Sequence, residues 1–204
     1  MKTILFATSN KGKLVEIREI LRDLDCRVLS LAEAGITSDV EENGKTFSEN
    51  AEIKARFFAK ESGMLALADD SGLVVDYMNG EPGIYSARFL GRDTSYDIKN
   101  HYIIGRLAEA VGPERSARFV CAICAATPDG RVLHTEGKVE GVIGTKPKGE
   151  NGFGYDPIFY VPELGCTTAE LPSEKKNEVS HRGRALRAMK DSEEFRKLLS
   201  ELKD

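Results

Sequence analysis

The sequence predicts an α/β domain with a mixed β-sheet and flanking helices. In the first third of the chain, short apolar runs alternate with segments whose apolar residues recur at helical spacing, beginning with residues 4–7 and 14–24. Further along, residues 118–126 and 131–137 are typical of two antiparallel strands joined by a Thr-Pro-Asp-Gly turn. Helices between the early strands favour parallel pairing, so the sheet combines both strand orientations.

The length and composition indicate one globular domain. We expect the 204 residues to form a single domain, 1–204, with a sizeable core. The net charge of −4 gives no general reason to bind nucleic acid. No apolar run approaches the ~20 residues that span a bilayer, and the chain after Ala7 is too polar for a signal peptide. A cytoplasmic protein that binds neither nucleic acid nor membrane is therefore expected.

The four cysteines are few and scattered. Cys121 and Cys124 lie in one β-like run, where a spacing of three places their side chains on opposite faces. Because no second pair completes a zinc or redox motif, we expect reduced core residues.

Two helices are predicted from clear local signals. Residues 46–49, Thr-Phe-Ser-Glu, have the spacing of a capping box and begin a helix that continues to about Ser62, with Asn50 and Lys54 on a shared face. A second helix is expected over residues 94–111. Its predicted buried residues are Ile98, Tyr102, Leu107 and Val111. The other predicted elements are strands at 26–31, 65–68, 73–77 and 139–143, and a helical region at 180–202 that is broken near 191–192.

The junction between the first strand and the first helix is a candidate anion site. It reads Thr8-Ser9-Asn10-Lys11-Gly12-Lys13. A helix N-terminus presents unpaired N–H groups and the positive end of a dipole, which suits a phosphate. The Walker pattern is absent, and an ordinary turn with solvated lysines is the alternative.

Two acidic pairs are candidate metal ligands. Glu41-Glu42 lies in a loop, and Asp69-Asp70 follows an apolar strand and precedes Ser71-Gly72. Ligands usually bind at strand ends in α/β sheets, and adjacent carboxylates are costly unless they share a cation or a proton. Oxygen ligands suit Mg²⁺ bound together with a substrate phosphate. The alternative is that both pairs are merely solvated.

Six short motifs occur between residues 8 and 186. They are Thr8-Ser9-Asn10-x-Gly12-Lys13, Thr46-Phe47-x-Glu49-Asn50-Ala51-x-x-Lys54-Ala55, Ala68-Asp69-Asp70-Ser71-Gly72-Leu73, Pro82-Gly83-Ile84-Tyr85-Ser86-Ala87-Arg88, Phe153-Gly154-Tyr155-Asp156-Pro157-Ile158-Phe159 and Ser180-His181-Arg182-Gly183-x-Ala185-Leu186. In this order they resemble the motif series of the inosine triphosphate pyrophosphatase family. One motif alone is weak evidence, whereas six in register over nearly the whole chain are highly specific.

The resemblance implies an α/β fold of two lobes around a central nucleotide-binding cleft. It also implies a homodimer that uses Mg²⁺ to hydrolyse ITP, dITP and XTP to the monophosphate and pyrophosphate, cleansing the nucleotide pool. Asp70 is implied to bind the metal and to act as the catalytic base, and Glu41, preferred over Glu42, to be the second metal ligand. The implied substrate-binding residues are Thr8, Ser9, Asn10, Lys11, Gly12, Lys13, Lys54, Ser71, Phe153, Gly154, Tyr155, Asp156, Lys176, His181 and Arg182.

Two other functions remain open at this point. A Maf-like pyrophosphatase would share the general fold and reaction class but act on other nucleotides, which the motifs at 153–156 and 181–182 disfavour. A catalytically silent nucleotide-binding module is disfavoured by the intact Asp70 and Glu41, and a pyrophosphate-release assay distinguishes it.

Overall fold

The computed structural model describes residues 2–202, which form seven strands and six α-helices joined by loops and short 3₁₀ turns. The strands are β1 Lys2–Phe6, β2 Cys26–Ser30, β3 Ala66–Val75, β4 Ser116–Ala126, β5 Val132–Ile143, β6 Phe159–Val161 and β7 Cys166–Thr167. The helices are α1 Lys11–Ile20, α2 Phe47–Ser62, α3 Tyr96–Arg106, α4 Ser173–Val179, α5 His181–Asp191 and α6 Glu193–Glu201. Within residues 2–202, no helix has the length and apolar character needed to cross a bilayer.

All seven strands belong to one mixed sheet, in the order β2-β1-β3-β4-β5-β6-β7. β1 pairs in parallel with β2 and β3, whereas β6 pairs antiparallel with β5 and β7. The predicted α/β class with a mixed sheet and flanking helices is therefore confirmed.

The chain divides into two compact units, each with its own core. One unit comprises the described residues of Met1–Asp70, Cys121–Gly137 and Arg182–Asp204, and the other comprises Ser71–Val120 and Lys138–His181. We call them unit 1 and unit 2. In unit 1, Ile4 and Phe6 pack in one apolar cluster and Leu5 and Ala7 in another, because alternate residues of a strand face opposite sides. Unit 2 has one cluster, which includes Leu73, Ile103 and Phe159.

Several predicted element boundaries are wrong, including those of the strands predicted at 131–137 and 139–143, which form the single strand β5. The first helix ends at Ile20, not at Leu24, and Leu21 is its C-cap. The strands predicted at 65–68 and 73–77 are one ten-residue strand, β3, which continues through the Asp-Asp-Ser-Gly segment. That segment was interpreted as the end of a strand because it is polar. It stays extended because its two carboxylates find partners on other elements, as described below.

The predicted core face of the third helix is also wrong. α3 begins after the N-cap Ser95 and ends at Arg106. Ile98 and Val111 are 57% and 70% exposed, and Tyr102 is exposed as well, so only Leu107 of the predicted set is buried. The buried side chains of α3 are instead Lys99, Asn100 and Ile103. The apolar spacing predicted the wrong buried face. The polar side chains of Lys99 and Asn100 can be buried because they donate hydrogen bonds to backbone carbonyl oxygens inside unit 2, so the apolar residues on the other side of the helix face solvent.

The two cysteines of β4 lie on opposite faces of the sheet, as predicted. Cys121 packs in the cluster of Ile4 and Phe6, and Cys124 packs in that of Leu5. Both thiols are free, and burial raises the pKa of each to about 12.

This burial predicts which thiols react. Only Cys26 and Cys166, which are partly exposed, should be modified when the native protein is treated with a thiol reagent at pH 8. The other two are shielded from the reagent and have almost no thiolate at that pH. Peptide mapping should find two labelled cysteines before unfolding in guanidinium and four afterwards. Labelling of Cys121 in the native protein would contradict the packing.

Candidate functional site

The β1–α1 junction is a capped helix start. Asn10 is the N-cap of α1, and its Oδ1 atom accepts a hydrogen bond from the Lys13 backbone N–H at 3.1 Å. The Asn10 backbone N–H donates in turn to Thr8 Oγ1 at 3.2 Å. Ser9 and Lys11 are exposed, and Gly12 lies in the first turn of the helix. The predicted helix N-terminus is therefore present at this position, with its N–H groups and its dipole.

Asp69 is the centre of a buried ion-pair cluster in unit 1. Its Oδ2 atom lies 2.9 Å from Lys13 Nζ and 3.4 Å from Arg182 Nη2. Arg182 also forms an ion pair with Glu16 of α1. Burial alone would raise the pKa of Asp69, but the charges of Lys13 and Arg182 hold it well below its usual range.

Asp70, the next residue of β3, lies in a different environment. Its Oδ2 atom accepts a hydrogen bond of 3.0 Å from Asn50 Nδ2, and its Oδ1 atom lies 3.9 Å from Lys54 Nζ. Burial raises the pKa of Asp70 to about 6, although Lys54 and the Asn50 amide act in the opposite direction. Because the β1–β3 register ends at Leu67, Asp69 and Asp70 lie beyond the carboxyl end of β1, where α/β proteins usually bind ligands.

The acidic loop is held against α2 by a side-chain amide. Asn50 Oδ1 accepts a hydrogen bond of 2.8 Å from the Gly44 backbone N–H, so one carboxamide connects the loop to Asp70. A Cβ atom at Gly44 would lie 2.7 Å from Asn50 Oδ1 and 2.8 Å from Glu49 Cβ, too close for any other residue without a shift.

Of the two acids in this loop, Glu42 forms an ion pair with Lys54, and Glu41 as the metal-side acid stays a prediction. Glu42 Oε2 lies 3.2 Å from Lys54 Nζ, the same ammonium that approaches Asp70. The Glu41 side chain is exposed. Two adjacent acids in a loop are indistinguishable by residue type, and only the contact with Lys54 separates them.

A second polar group lies in unit 2, around Asp156. Lys176 Nζ lies 2.6 Å from Asp156 Oδ2 and 4.8 Å from the centre of the Phe153 ring. The Phe153 backbone N–H donates to the same carboxylate at 2.8 Å, and Thr168 Oγ1 donates to Asp156 Oδ1 at 2.8 Å. Gly152 is in the left-handed region, and a Cβ atom there would collide with the Asp156 carboxylate.

The pair His181-Arg182 is divided between the units. His181 is buried in unit 2, where its ring stacks on Phe119 with centroids 4.7 Å apart, while Arg182 belongs to the Asp69 cluster. Of the other predicted site residues, those from Thr8 to Lys54 and Asp70 lie in unit 1. Ser71, Phe153, Gly154, Tyr155, Asp156 and Lys176 lie in unit 2.

Known proteins resemble this chain over almost its whole length. The model of the Ham1 family matches residues 4–192. The chain belongs to the Ham1 family. A protein of Clostridium perfringens named dITP/XTP pyrophosphatase is 48% identical, over 94% of this chain and 97% of its own. One of the same name from Thermus thermophilus is 51% identical over 93% and 90%.

Solved structures of Ham1 proteins share the fold. The protein from Coxiella burnetii superposes with a TM-score of 0.84 at 43% identity, covering 93% of this chain and 96% of its own. The Ham1 protein from Staphylococcus aureus gives 0.82 at 42% identity, covering 92% and 96%.

The donor set of unit 1 is compatible with a Mg²⁺ ion bound together with substrate. Among residues 2–202, no three His, Cys, Asp or Glu side chains are arranged to hold a metal by themselves. Mg²⁺ in phosphate-transferring sites uses one or two carboxylates and completes its shell with waters and phosphate oxygens. Asp70 and Glu42, which share the ammonium of Lys54, fit that pattern.

The sequence did not indicate the roles of three residues of this chain that position the site. Asp69 was noted only as one half of an acidic pair, Asn50 only as a neighbour of Lys54 on α2, and Glu16 not at all. The spacing of Asn50 and Lys54 was a usable signal, since both contact Asp70. The Glu16–Arg182 pair joins residues 166 apart in sequence and leaves no local signal.

The contrast between the two aspartates predicts opposite effects on stability. Asp69→Asn should lower the free energy of unfolding by about 3–5 kcal/mol, because Lys13 and Arg182 lose their buried counter-charge. Asp70→Asn should raise it by about 2–3 kcal/mol at pH 8, because it removes a buried carboxylate whose ionised form is disfavoured. Urea unfolding in EDTA measures both.

The stabilisation expected from Asp70→Asn depends on pH. An acid whose pKa is raised to about 6 in the folded state carries its full penalty above pH 6 and loses it as the pH falls towards 4. The advantage of Asp70→Asn over the parent should therefore fade between pH 6 and pH 4. An equal advantage at pH 8 and pH 4 would contradict the assigned environment.

Proposed function

We propose that this protein hydrolyses the non-standard purine nucleoside triphosphates ITP, dITP and XTP to the monophosphate and pyrophosphate. The observation that carries the proposal is the arrangement of Lys13, Lys54 and Asp70 around the carboxyl end of β1, in a chain of the Ham1 family. The names of its relatives, dITP/XTP pyrophosphatase, support this substrate class.

The phosphates would be bound by unit 1. The first turn of α1 offers backbone N–H groups and a positive dipole end, and Lys13 and Lys54 offer two ammonium groups. Each lysine is held by a carboxylate, Lys13 by Asp69 and Lys54 by Glu42, so both are oriented before substrate arrives. Contacts of this kind recognise a triphosphate without distinguishing its base.

Asp70 would be the general base. Its carboxylate accepts the proton of the water that attacks the α-phosphorus, and pyrophosphate leaves in line with its charge shared by the lysines. A pKa near 6 leaves this group ionised at neutral pH and still basic enough to take a proton. Asn50, hydrogen-bonded to Oδ2 of Asp70, orients the acceptor.

Mg²⁺ is the proposed cofactor, held by Asp70 and Glu42. When bound, the ion neutralises phosphate charge and lowers the pKa of the attacking water. Lys54 contacts the same two carboxylates, so a bound ion would share the compensation of their charge with its ammonium.

The base would be recognised by unit 2. Hypoxanthine and xanthine have an acceptor oxygen at C6, where adenine has a donor amino group, so the Lys176 ammonium matches the former and opposes the latter. Phe153 offers a ring for stacking, which favours every base alike. Arg182 was expected to contact the base, but its guanidinium is buried between Asp69 and Glu16, so we assign it to the support of Asp69.

Three further properties complete the proposal. The chain would act as one pyrophosphatase domain, as a homodimer and in the cytoplasm. These expectations come from the resemblance of the motifs to the inosine triphosphate pyrophosphatase family. A catalytically silent binding module remains the alternative that the assay below excludes or establishes.

Product analysis tests the reaction. With Mg²⁺, ITP should give IMP and pyrophosphate in equal amounts and no IDP, because the lysines hold the outgoing phosphates together. Asp70→Asn should lower kcat by about 10²–10⁴, the usual loss when a proton acceptor is removed. Asp97→Asn, an 80% exposed acid, is the control and should be unaffected. Stepwise release of orthophosphate, or full turnover by Asp70→Asn, would refute the proposal.

A matched pair of variants tests the metal-side glutamate. Glu42→Gln should raise the Mg²⁺ concentration for half-maximal turnover by about tenfold or more, as expected when a metal site loses a ligand or its support. Glu41→Gln changes the same functional group one residue away and should leave the requirement unchanged. The reverse result would restore Glu41 as the ligand.

A further inference from the structure

Two adjacent polar residues of α3 point into unit 2 and have no role in the reaction proposed above. Lys99 is 1% exposed and Asn100 is 5% exposed. Burying an ammonium and a carboxamide costs free energy unless their donors are used. Their contacts therefore indicate what this face of the helix does.

Asn100 holds the turn that carries Phe153. Its Nδ2 atom donates a hydrogen bond of 3.1 Å to the Gly154 carbonyl oxygen. Gly154 has φ +70, and a Cβ atom there would lie 3.5 Å from Cε1 of Tyr96. Asn100 Oδ1 is buried and accepts no hydrogen bond from residues 2–202. The position thus carries an acceptor without a partner among the described residues, which is unfavourable for folding.

Lys99 holds the neighbouring segment. Its ammonium donates a hydrogen bond of 2.8 Å to the Ala87 carbonyl oxygen and lies 4.7 Å from the centre of the Tyr96 ring. Within the described chain it makes no ion pair with a carboxylate. Burying a lysine against a carbonyl and a ring costs more free energy than burying an apolar side chain of similar size. We therefore attribute its presence to the hydrogen bond that it donates to Ala87.

The two segments that α3 holds are also joined to each other. The Tyr155 hydroxyl donates to the Ser86 carbonyl oxygen at 2.8 Å, and the Tyr155 ring meets Tyr96 edge to face with centroids 5.1 Å apart. Gly154 and Tyr155 are therefore fixed from three directions. Phe153 precedes them directly and is tied to Asp156 through its backbone N–H.

We infer that Lys99 and Asn100 are positioning residues that set the orientation of the Phe153–Asp156 turn and thereby the affinity for the nucleobase. The inference rests on the proposed role of that turn in binding the base. Without the Asn100 donor the Gly154 carbonyl loses its hydrogen bond, and the backbone next to Phe153 is held less firmly. The phosphate contacts of unit 1 involve none of these groups.

The test separates base binding from phosphate binding in the full-length protein. Asn100→Leu, which keeps the number and branching of the side-chain heavy atoms and removes the donor, and Lys99→Met are compared with the parent for KM with ITP, inhibition by IMP and inhibition by pyrophosphate. We expect KM and the IMP inhibition constant to rise about 3- to 10-fold, as for the loss of one hydrogen bond, and the pyrophosphate constant to stay within about twofold. His101→Ala, on the exposed side of α3, is the control and should change none of them.

These constants do not depend on the fraction of folded enzyme, so partial unfolding cannot imitate the result. If Asn100→Leu yields no folded protein, Asn100→Ala replaces it. A fall in kcat with unchanged KM and unchanged IMP inhibition would overturn the inference, and so would an equal rise in the IMP and pyrophosphate constants. If the parent does not hydrolyse ITP, the proposed function fails. Direct binding of IMP and pyrophosphate to the same variants then still decides the positioning role.

Discussion

The carboxylate of Asp69 lies fully inside unit 1, where two cations from distant parts of the chain balance it. Lys13 comes from the first turn of α1 and Arg182 from the first turn of α5. Glu16 adds a second carboxylate, so the four formal charges of the cluster cancel. A charge in this position is tolerable only with its partners in place, since breaking a buried pair costs about 3–5 kcal/mol. The cluster therefore joins α1, β3 and α5, and it fixes the lysine that we assign to the triphosphate.

Strand geometry explains how adjacent aspartates acquire different chemistry. Side chains at neighbouring positions of a strand point to opposite faces. Two cations lower the pKa of Asp69 despite its burial, whereas burial raises the pKa of Asp70 to about 6 because an amide and a more distant ammonium offset it only in part. Carboxylates whose pKa values are driven apart are the usual sign of divided labour between structure and proton transfer. In the proposed mechanism Asp69 keeps Lys13 in place, and Asp70 would be the base.

The sequence predicted the elements that have local signals and missed those that depend on distant contacts. The helix start at Thr46 and the turn between β4 and β5 are local, and both are confirmed. Thr46 is the N-cap of α2, although Glu49 accepts from the Lys45 N–H and not from the Thr46 N–H that a capping box requires. The continuity of β3 depends on Arg182, 113 residues away from Asp69, so the polar segment was misread as a strand end. The buried face of α3 was predicted wrongly because the burial of Lys99 and Asn100 depends on hydrogen bonds to the Ala87 and Gly154 carbonyl oxygens, which are distant in sequence. The same limit applies to Glu41 and Glu42, which only the Lys54 ammonium distinguishes.

The two units use different physical means, and the difference follows from what each is proposed to recognise. A phosphate is a compact, strongly charged group, and ammonium groups and helix N–H donors attract it with little demand on orientation. A base with an oxygen at C6 differs from one with an amino group mainly because that position accepts a hydrogen bond instead of donating one. Charge attraction without a fixed geometry distinguishes the two poorly. A group that distinguishes an acceptor from a donor by the geometry of a hydrogen bond must itself be held rigidly. Unit 2 meets this requirement with backbone carbonyls held by Lys99 and Asn100, a left-handed glycine at 154 and an aspartate with several donors. Its selectivity would therefore depend on how firmly the turn is held as much as on which side chains it carries.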